Sequence, residues 1–303
     1  MKIVTTTGDF DVVFETFEEK VEAMHKCGYK CIDISFFNKE RVLEFMTPDW
    51  QDKVKKLGEF AGGLGMEFVQ SHTPYVAFGA EITQESIDLT YRSIEVAGML
   101  GVKNTVIHPA CPTAHPEQEF EFIKNFLPVL EEYNINLLLE NAPNHSVRAG
   151  GEKPDRYYTG EQLLSLIEYI NHPNVHACWD TGHANLVGEE KSLQREGILA
   201  LGSHLKAIHF NDNNGFMDLH LLPFGGTLNV DEVMCALKEI GYDGNFTFEC
   251  SIFKAPDPYY REKRSGEKEG AMVFLPAEFK TKEQKMVYET GIAILNHYGI
   301  EIE

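Results

Sequence analysis

The chain has 303 residues, 43% of them hydrophobic and 24% charged, which is the composition of a globular protein and not of a disordered or fibrous one. Its 47 acidic against 27 basic residues give a net charge of −20. Such a surface repels polyanions and argues against nucleic acid as the main partner, a local basic groove being the one arrangement that escapes the argument. No stretch approaches the roughly 18–20 apolar residues of a membrane span, and the start, MKIVTTTGDF, has neither the apolar core nor the cleavage site of a secretory signal.

The expected elements alternate along the chain. Strand-length apolar runs lie at 2–7 (KIVTTT), 31–35 (CIDIS), 68–72 (FVQSH), 105–109 (TVIHP), 137–141 (LLLEN), 175–180 (VHACWD), 205–212 (LKAIHFND) and 246–250 (FTFEC). Amphipathic stretches of helical length fall between them, among them 14–26, 49–61, 83–99, 117–132, 160–170 and 230–239. Many of these stretches end at a Gly or Asn, the residues that suit the left-handed position closing a helix. Near-continuous apolar strands are those of a parallel sheet buried on both faces. Eight strand–helix units in one chain predict an α/β fold, a single (β/α)8 TIM-barrel domain over 1–303. A doubly wound sheet would carry a Gly-rich phosphate turn after the first strand, where this chain reads TTTGDF. Residues 251–280 interrupt the rhythm as a long excursion after strand eight, read equally as a surface loop or as a lid or subunit contact of a homo-oligomer. A helix over roughly 281–297 then closes the barrel.

Six cysteines, Cys27, Cys31, Cys111, Cys178, Cys235 and Cys250, form no CxxC pair or framework spacing. They read as reduced thiols of a cytoplasmic protein, with Cys178 and Cys250 as core residues.

Polar residues gather at the ends of strands three to eight: His72, His108, Glu140, Asp180 with His183 three residues on, His209 followed by Asp218 and His220, and Glu249. One strand-end histidine is ordinarily a hydrogen-bonded structural residue. Nine Asp, Glu and His on six successive strand ends converge on one area in a closed barrel, where the carboxylates would repel one another without a cation. Mixed carboxylate and imidazole donors suit Mn, Zn, Co or Mg and not a thiolate-selective ion.

The phrases SHTPY (71–75), VIHPA (106–110), LLLENAP (137–143), CWDTGHANL (178–186), AIHFNDNNG (207–215), DLHLLPFGG (218–226) and FTFECS (246–251) resemble the xylose isomerase-like TIM-barrel superfamily, which includes sugar phosphate isomerases/epimerases, ketose 3-epimerases and endonuclease IV. The resemblance implies Glu140, Asp180, His209 and Glu249 as central metal ligands and His183 as a substrate-contacting residue. It implies that His72, His108, His183, Asp218 and His220 hold further metal or substrate. It also implies an enzyme acting on a small carbohydrate: a metal-dependent isomerase or epimerase of a sugar, or of a sugar phosphate or polyol derivative, with Glu140 and Glu249 as acid and base through an enediolate and His183 as the third catalytic residue, hydrogen-bonding the enediolate oxygen. The alternative is an endonuclease IV-like zinc phosphodiesterase acting on abasic DNA. The ketose 3-epimerase pattern has a Glu and an Arg where this chain has Ser146 and Gly215. Arg148 and Arg156, in the loop after strand five, read either as solvated or as partners for a substrate carboxylate or phosphate.

Overall fold

A computed structural model describes residues 1–11, 13–77, 81–110, 116–143, 157–187, 192–251 and 276–303. Eight strands close into a parallel barrel in chain order: β1 (Ile3–Thr6), β2 (Cys31–Ser35), β3 (Glu67–His72), β4 (Asn104–Ile107), β5 (Asn136–Glu140), β6 (Val175–Asp180), β7 (Leu205–Phe210) and β8 (Asn245–Phe248), with β8 paired to β1. Each expected strand is present, with bounds shifted by a residue or two.

Helices α1 (Phe17–Cys27), α2 (Glu40–Leu43), α3 (Trp50–Gly63), α4 (Gln84–Met99), α5 (Pro116–Ile123), α6 (Leu127–Tyr133), α7 (Gly160–Ile170), α8 (Thr181–Ala184), α9 (Gln194–Leu201), α10 (Val230–Glu239) and α11 (Ala277–His297) connect and close the strands. Thr16, Thr83 and Thr159 start α1, α4 and α7, each with its hydroxyl on the backbone N–H three residues on. Gly28 ends α1 at φ 104°, a conformation that costs a side chain but not glycine. Asn134 and Asn171 close α6 and α7 in the same left-handed region. The single helix expected over 117–132 is two, α5 and α6, because Pro128 sits in the first turn of α6, where a missing N–H costs nothing, whereas it would break a continuous helix.

Residues two apart on a strand share a face. The pairs Gln70 and His72, Val106 and His108, Leu138 and Glu140, Cys178 and Asp180, Ala207 and His209, and Thr247 and Glu249 therefore form two stacked layers inside the barrel. Val106, Leu138, Cys178 and Ala207 make an apolar cluster in the deeper layer. The larger core lies outside the barrel wall, between strands and helices, around Trp179, Phe210, Phe246 and Phe248. Among the described residues no helix is long and apolar enough to cross a membrane. Most of the 251–280 excursion, together with Cys111, Ser146, Arg148 and Arg156, lies outside the described residues.

Candidate metal centre

The upper layer holds six of the nine candidates, His72, His108, Glu140, Asp180, His209 and Glu249, and His183 on α8, with Asp218 and His220 in the loop after β7, meets them at the same mouth of the barrel. Four groups have donor atoms lying within 4.8 Å of one another: Glu140, Asp180, His209 and Glu249; His72, His108 and Glu140; His183, Asp218 and His220; and Glu140, Cys178 and His209. Glu140, 1% exposed, joins the first two groups through its two oxygens. Its Oε2 lies 2.7 Å from His108 Nε2 and 3.3 Å from His72 Nε2, and its Oε1 lies 2.7 Å from His209 Nδ1. Glu249 Oε2 is 3.5 Å from the same His209 nitrogen.

The strand-end residues are aimed by their neighbours. Asp180 caps the short α8, accepting from His183 N at 2.6 Å, and its other oxygen accepts from Asn211 Nδ2 at 2.8 Å. Asn141 Oδ1 accepts from Asp180 N at 2.7 Å. A Cβ on Gly182 would lie 1.8 Å from Asn211 Oδ1, so only glycine lets α8 pack here. Asp212 closes the loop that carries Asp218 and His220, accepting from Gly226 N at 2.8 Å and Leu228 N at 2.9 Å and pairing its backbone with Leu221. His220, at φ 45°, donates Nδ1–H to Glu249 O at 2.8 Å, which ties this loop to the end of β8.

Charge in the centre is strongly coupled. Burial would raise the Glu140 carboxyl, but His209 and His108 outweigh it and hold it well below the usual range. Burial raises Asp180, with His183 opposing. Burial lowers the His183 imidazole, but Asp180 and Asp218 overcome this and push it to about 10. For His209, burial is outweighed by Cys178, Glu249 and Glu140, and its pKa stands well above the ordinary one. The fit to a divalent cation rests on the donor chemistry: three carboxylates and an imidazole, three of the four almost fully buried, converge at ligand spacing. Cys178 is buried as expected of a core residue, but it also sits at donor distance from Glu140 and His209; burial pushes its thiol to about 12.

A cavity of about 690 Å³ opens above the centre. His72, His108, His183, Asp218, His220 and Glu249 form its floor, and Thr6, Asp9, Ser35 and Asn38 form a polar wall. Phe37 and Tyr75, stacked 5.0 Å apart, form an aromatic wall. No Lys or Arg is among its described lining residues.

Two residues next to the centre, Asp33 and Gln70, escaped the sequence reading. Both are fully buried in the deeper layer. Gln70 Nε2 donates to Asp33 Oδ2 at 2.9 Å and lies 3.0 Å from His209 Nε2. Burial, opposed by His209, pushes Asp33 to about 6. The signal was a charged residue inside an apolar strand, flanked by Ile32 and Ile34.

The sequence pattern of the xylose isomerase-like TIM barrel matches residues 21–268, and the chain belongs to that family. Among curated relatives, an uncharacterised protein of Methanocaldococcus jannaschii is 29% identical over 65% of this chain and 68% of its own. L-ribulose 3-epimerase of Methylomonas sp. is 24% identical over 77% and 78%. A probable endonuclease 4 of Mycoplasmopsis pulmonis is 23% identical over 61% and 68%. The solved structure of D-psicose 3-epimerase from Clostridium cellulolyticum superposes with a TM-score of 0.71 at 17% identity, over 97% of this chain and 99% of that one.

Proposed function

We propose that the protein is a divalent-metal-dependent isomerase or epimerase of small, uncharged carbohydrates. The observation that carries this reading is the cavity: carboxylates, hydroxyls, an amide and a stacked aromatic pair above opposed Glu140 and Glu249, with no Lys or Arg in the described lining. Hydroxyl-rich neutral ligands are met by such groups, whereas a phosphate would lie against Asp9, Asp11, Asp218 and Glu249. The likeness to L-ribulose 3-epimerase supports the same class.

Glu140, Asp180, His209 and Glu249 would hold the cation. When bound, it would polarise a substrate carbonyl and acidify the neighbouring C–H. One of Glu140 and Glu249 takes that C–H proton as base, and the other, protonated, gives a different proton to the opposite face of the enediolate. Glu249, 16% exposed, lines the cavity, whereas Glu140 lies beneath it. His183 donates Nδ1–H to Asn141 O at 2.8 Å, so its Nε2 faces the cavity, where it hydrogen-bonds the substrate oxygen that gains charge. The Phe37–Tyr75 stack packs against the apolar face of the sugar.

The test is solvent-deuterium incorporation at carbon by the protein loaded with Mn, Co, Mg or Zn, across neutral ketoses, aldoses and their phosphates. Exchange into neutral sugars that Glu249→Gln abolishes supports the reading; exchange confined to phosphorylated sugars, or none at all, contradicts it.

A second reading, a zinc phosphodiesterase acting on abasic DNA, is favoured by one observation. His72 and His108 with Glu140, and His183 with Asp218 and His220, offer donor sets for two cations beyond the central one. Nicking of abasic DNA by the zinc-loaded protein, with no carbon exchange on any sugar, would establish that reading in place of the first.

A further inference from the structure

Two carboxylates that follow β1 line the same cavity and are treated differently. Asp11 is paired with both Lys20 and Arg41. Asp9, in the 3-10 turn Thr7–Phe10, lines the cavity with Thr6, Ser251 and Glu249, and its buried Oδ2 has no hydrogen-bond partner among the described residues. The turn is pinned on both sides of it. The Thr6 hydroxyl accepts from Gly8 N at 3.1 Å, the Thr7 hydroxyl accepts from Ser35 N at 2.9 Å, and Phe10 is fully buried. Burial pushes the Asp9 carboxyl to about 7, with Lys280 opposing.

Ser251, on the same wall, has its proton committed elsewhere. Its hydroxyl donates to Glu283 Oε1 at 2.7 Å and accepts from Lys280 Nζ at 2.8 Å. Lys280 and Glu283 belong to α11, are 4% and 3% exposed, and are not among the lining residues, so they back the wall from behind. What Asp9 and Ser251 have left to offer the cavity is therefore lone pairs.

We propose that Asp9 and Ser251 form a subsite that accepts hydrogen bonds from a substrate hydroxyl on the Glu249 side of the cavity, with Asp9 as the specificity-determining residue. The subsite rests on the carbohydrate reading above and deepens it. A sugar hydroxyl is a neutral donor and gives the Asp9 carboxylate the partner it lacks. A sugar without that hydroxyl leaves the carboxylate unpaired, which is how sites built around a hydroxyl reject its deoxy analogue. A structural role accounts poorly for Asp9, because a buried carboxylate oxygen without a partner costs stability. Asp11 shows how the same loop answers a carboxylate with paired cations.

The neutral sugar that exchanges deuterium fastest is compared with its deoxy analogues, each lacking one hydroxyl beyond the exchanging carbon, in wild type, Asp9→Ala and Asp9→Asn. In wild type one analogue is expected to lose roughly 10–100-fold in kcat/KM. Asp9→Ala should lose a similar factor on the parent sugar and nothing further on that analogue, with Asp9→Asn in between because its carbonyl still accepts. Equal losses in Asp9→Ala on the parent and on every analogue, or no loss on the parent, overturn the subsite and leave the isomerase reading standing. No exchange by wild type on any sugar overturns that reading and the subsite with it. Zinc affinity by chelator competition should be nearly unchanged in Asp9→Ala; a large loss means that Asp9 acts through the metal centre and overturns the subsite. Thermal melts without sugar give an answer that does not depend on turnover. Removing a buried, unpartnered carboxylate should leave the melting temperature unchanged or raise it, and an Asp9→Ala that melts well below wild type marks a structural residue and overturns the proposal.

Discussion

The two interior layers of the barrel differ in what they contain and in how they read. The upper layer, at the mouth, holds Glu140, Asp180, His209 and His72, all buried, and the partly buried His108, with Glu140 joining the three imidazoles. The layer two residues deeper is divided. Val106, Leu138, Cys178 and Ala207 form one apolar sector, and Asp33, Gln70 and Thr247 form a polar one. A packed apolar floor can hold strands at fixed spacing. The side of the floor that lies under His209 is the polar one.

The contrast can be broken by substitution in either layer. The largest effect is expected at Glu140, which touches His72, His108 and His209 at once. Glu140→Gln should lower turnover about 10²–10⁴-fold and weaken metal binding, measured by carbon–deuterium exchange and chelator competition. Leu138→Ala, two residues below, should instead cost stability, about 2–5 kcal/mol by denaturant melting, with metal affinity nearly unchanged. Gly182→Ala drives a methyl into Asn211, the partner of Asp180, and should cost about 1–3 kcal/mol while weakening metal binding.

A smaller, pH-dependent effect sharpens the view of the upper layer. His183 is held protonated to about 10 by Asp180 and Asp218, against an ordinary imidazole value of 6.5. A raised folded-state pKa contributes stability that is complete below about 6.5 and is lost as pH rises through about 10. Chelator-treated protein should therefore melt at lower temperature at pH 10 than at pH 7. Metal affinity should move the opposite way, rising with pH as ligand protons leave. Melting curves with and without zinc across this range check both signs.

Six of the strands were legible because each is a short apolar run entered from a Gly- or Asn-ended helix, as at Gly28 before β2 and Asn134 before β5, and β1 and β7 were legible from their apolar runs alone. The nine donors were legible because they stand where apolar runs stop. Helix α9 (QREGILAL) was not anticipated, although its Gly197 packs under Trp179. Asp33 and Gln70 were missed for a different reason. Which side of a strand faces the barrel interior is settled only when the sheet closes, and a polar residue inside a strand carries no label saying that an imidazole from four or five strands away will meet it. The spacing of β3 and β7 in sequence hides a 3.0 Å contact.

The proposed chemistry needs a divalent cation held by Glu140, Asp180, His209 and Glu249. Elemental mass spectrometry of the purified protein, alongside the double variant Asp180→Asn/His209→Gln, tests that claim most directly. At least one equivalent of Mn, Co, Mg or Zn per wild-type chain, lost from a double variant that still folds, is the predicted result. Wild type that stays metal-free after reloading, or a double variant that retains its full complement, would contradict it.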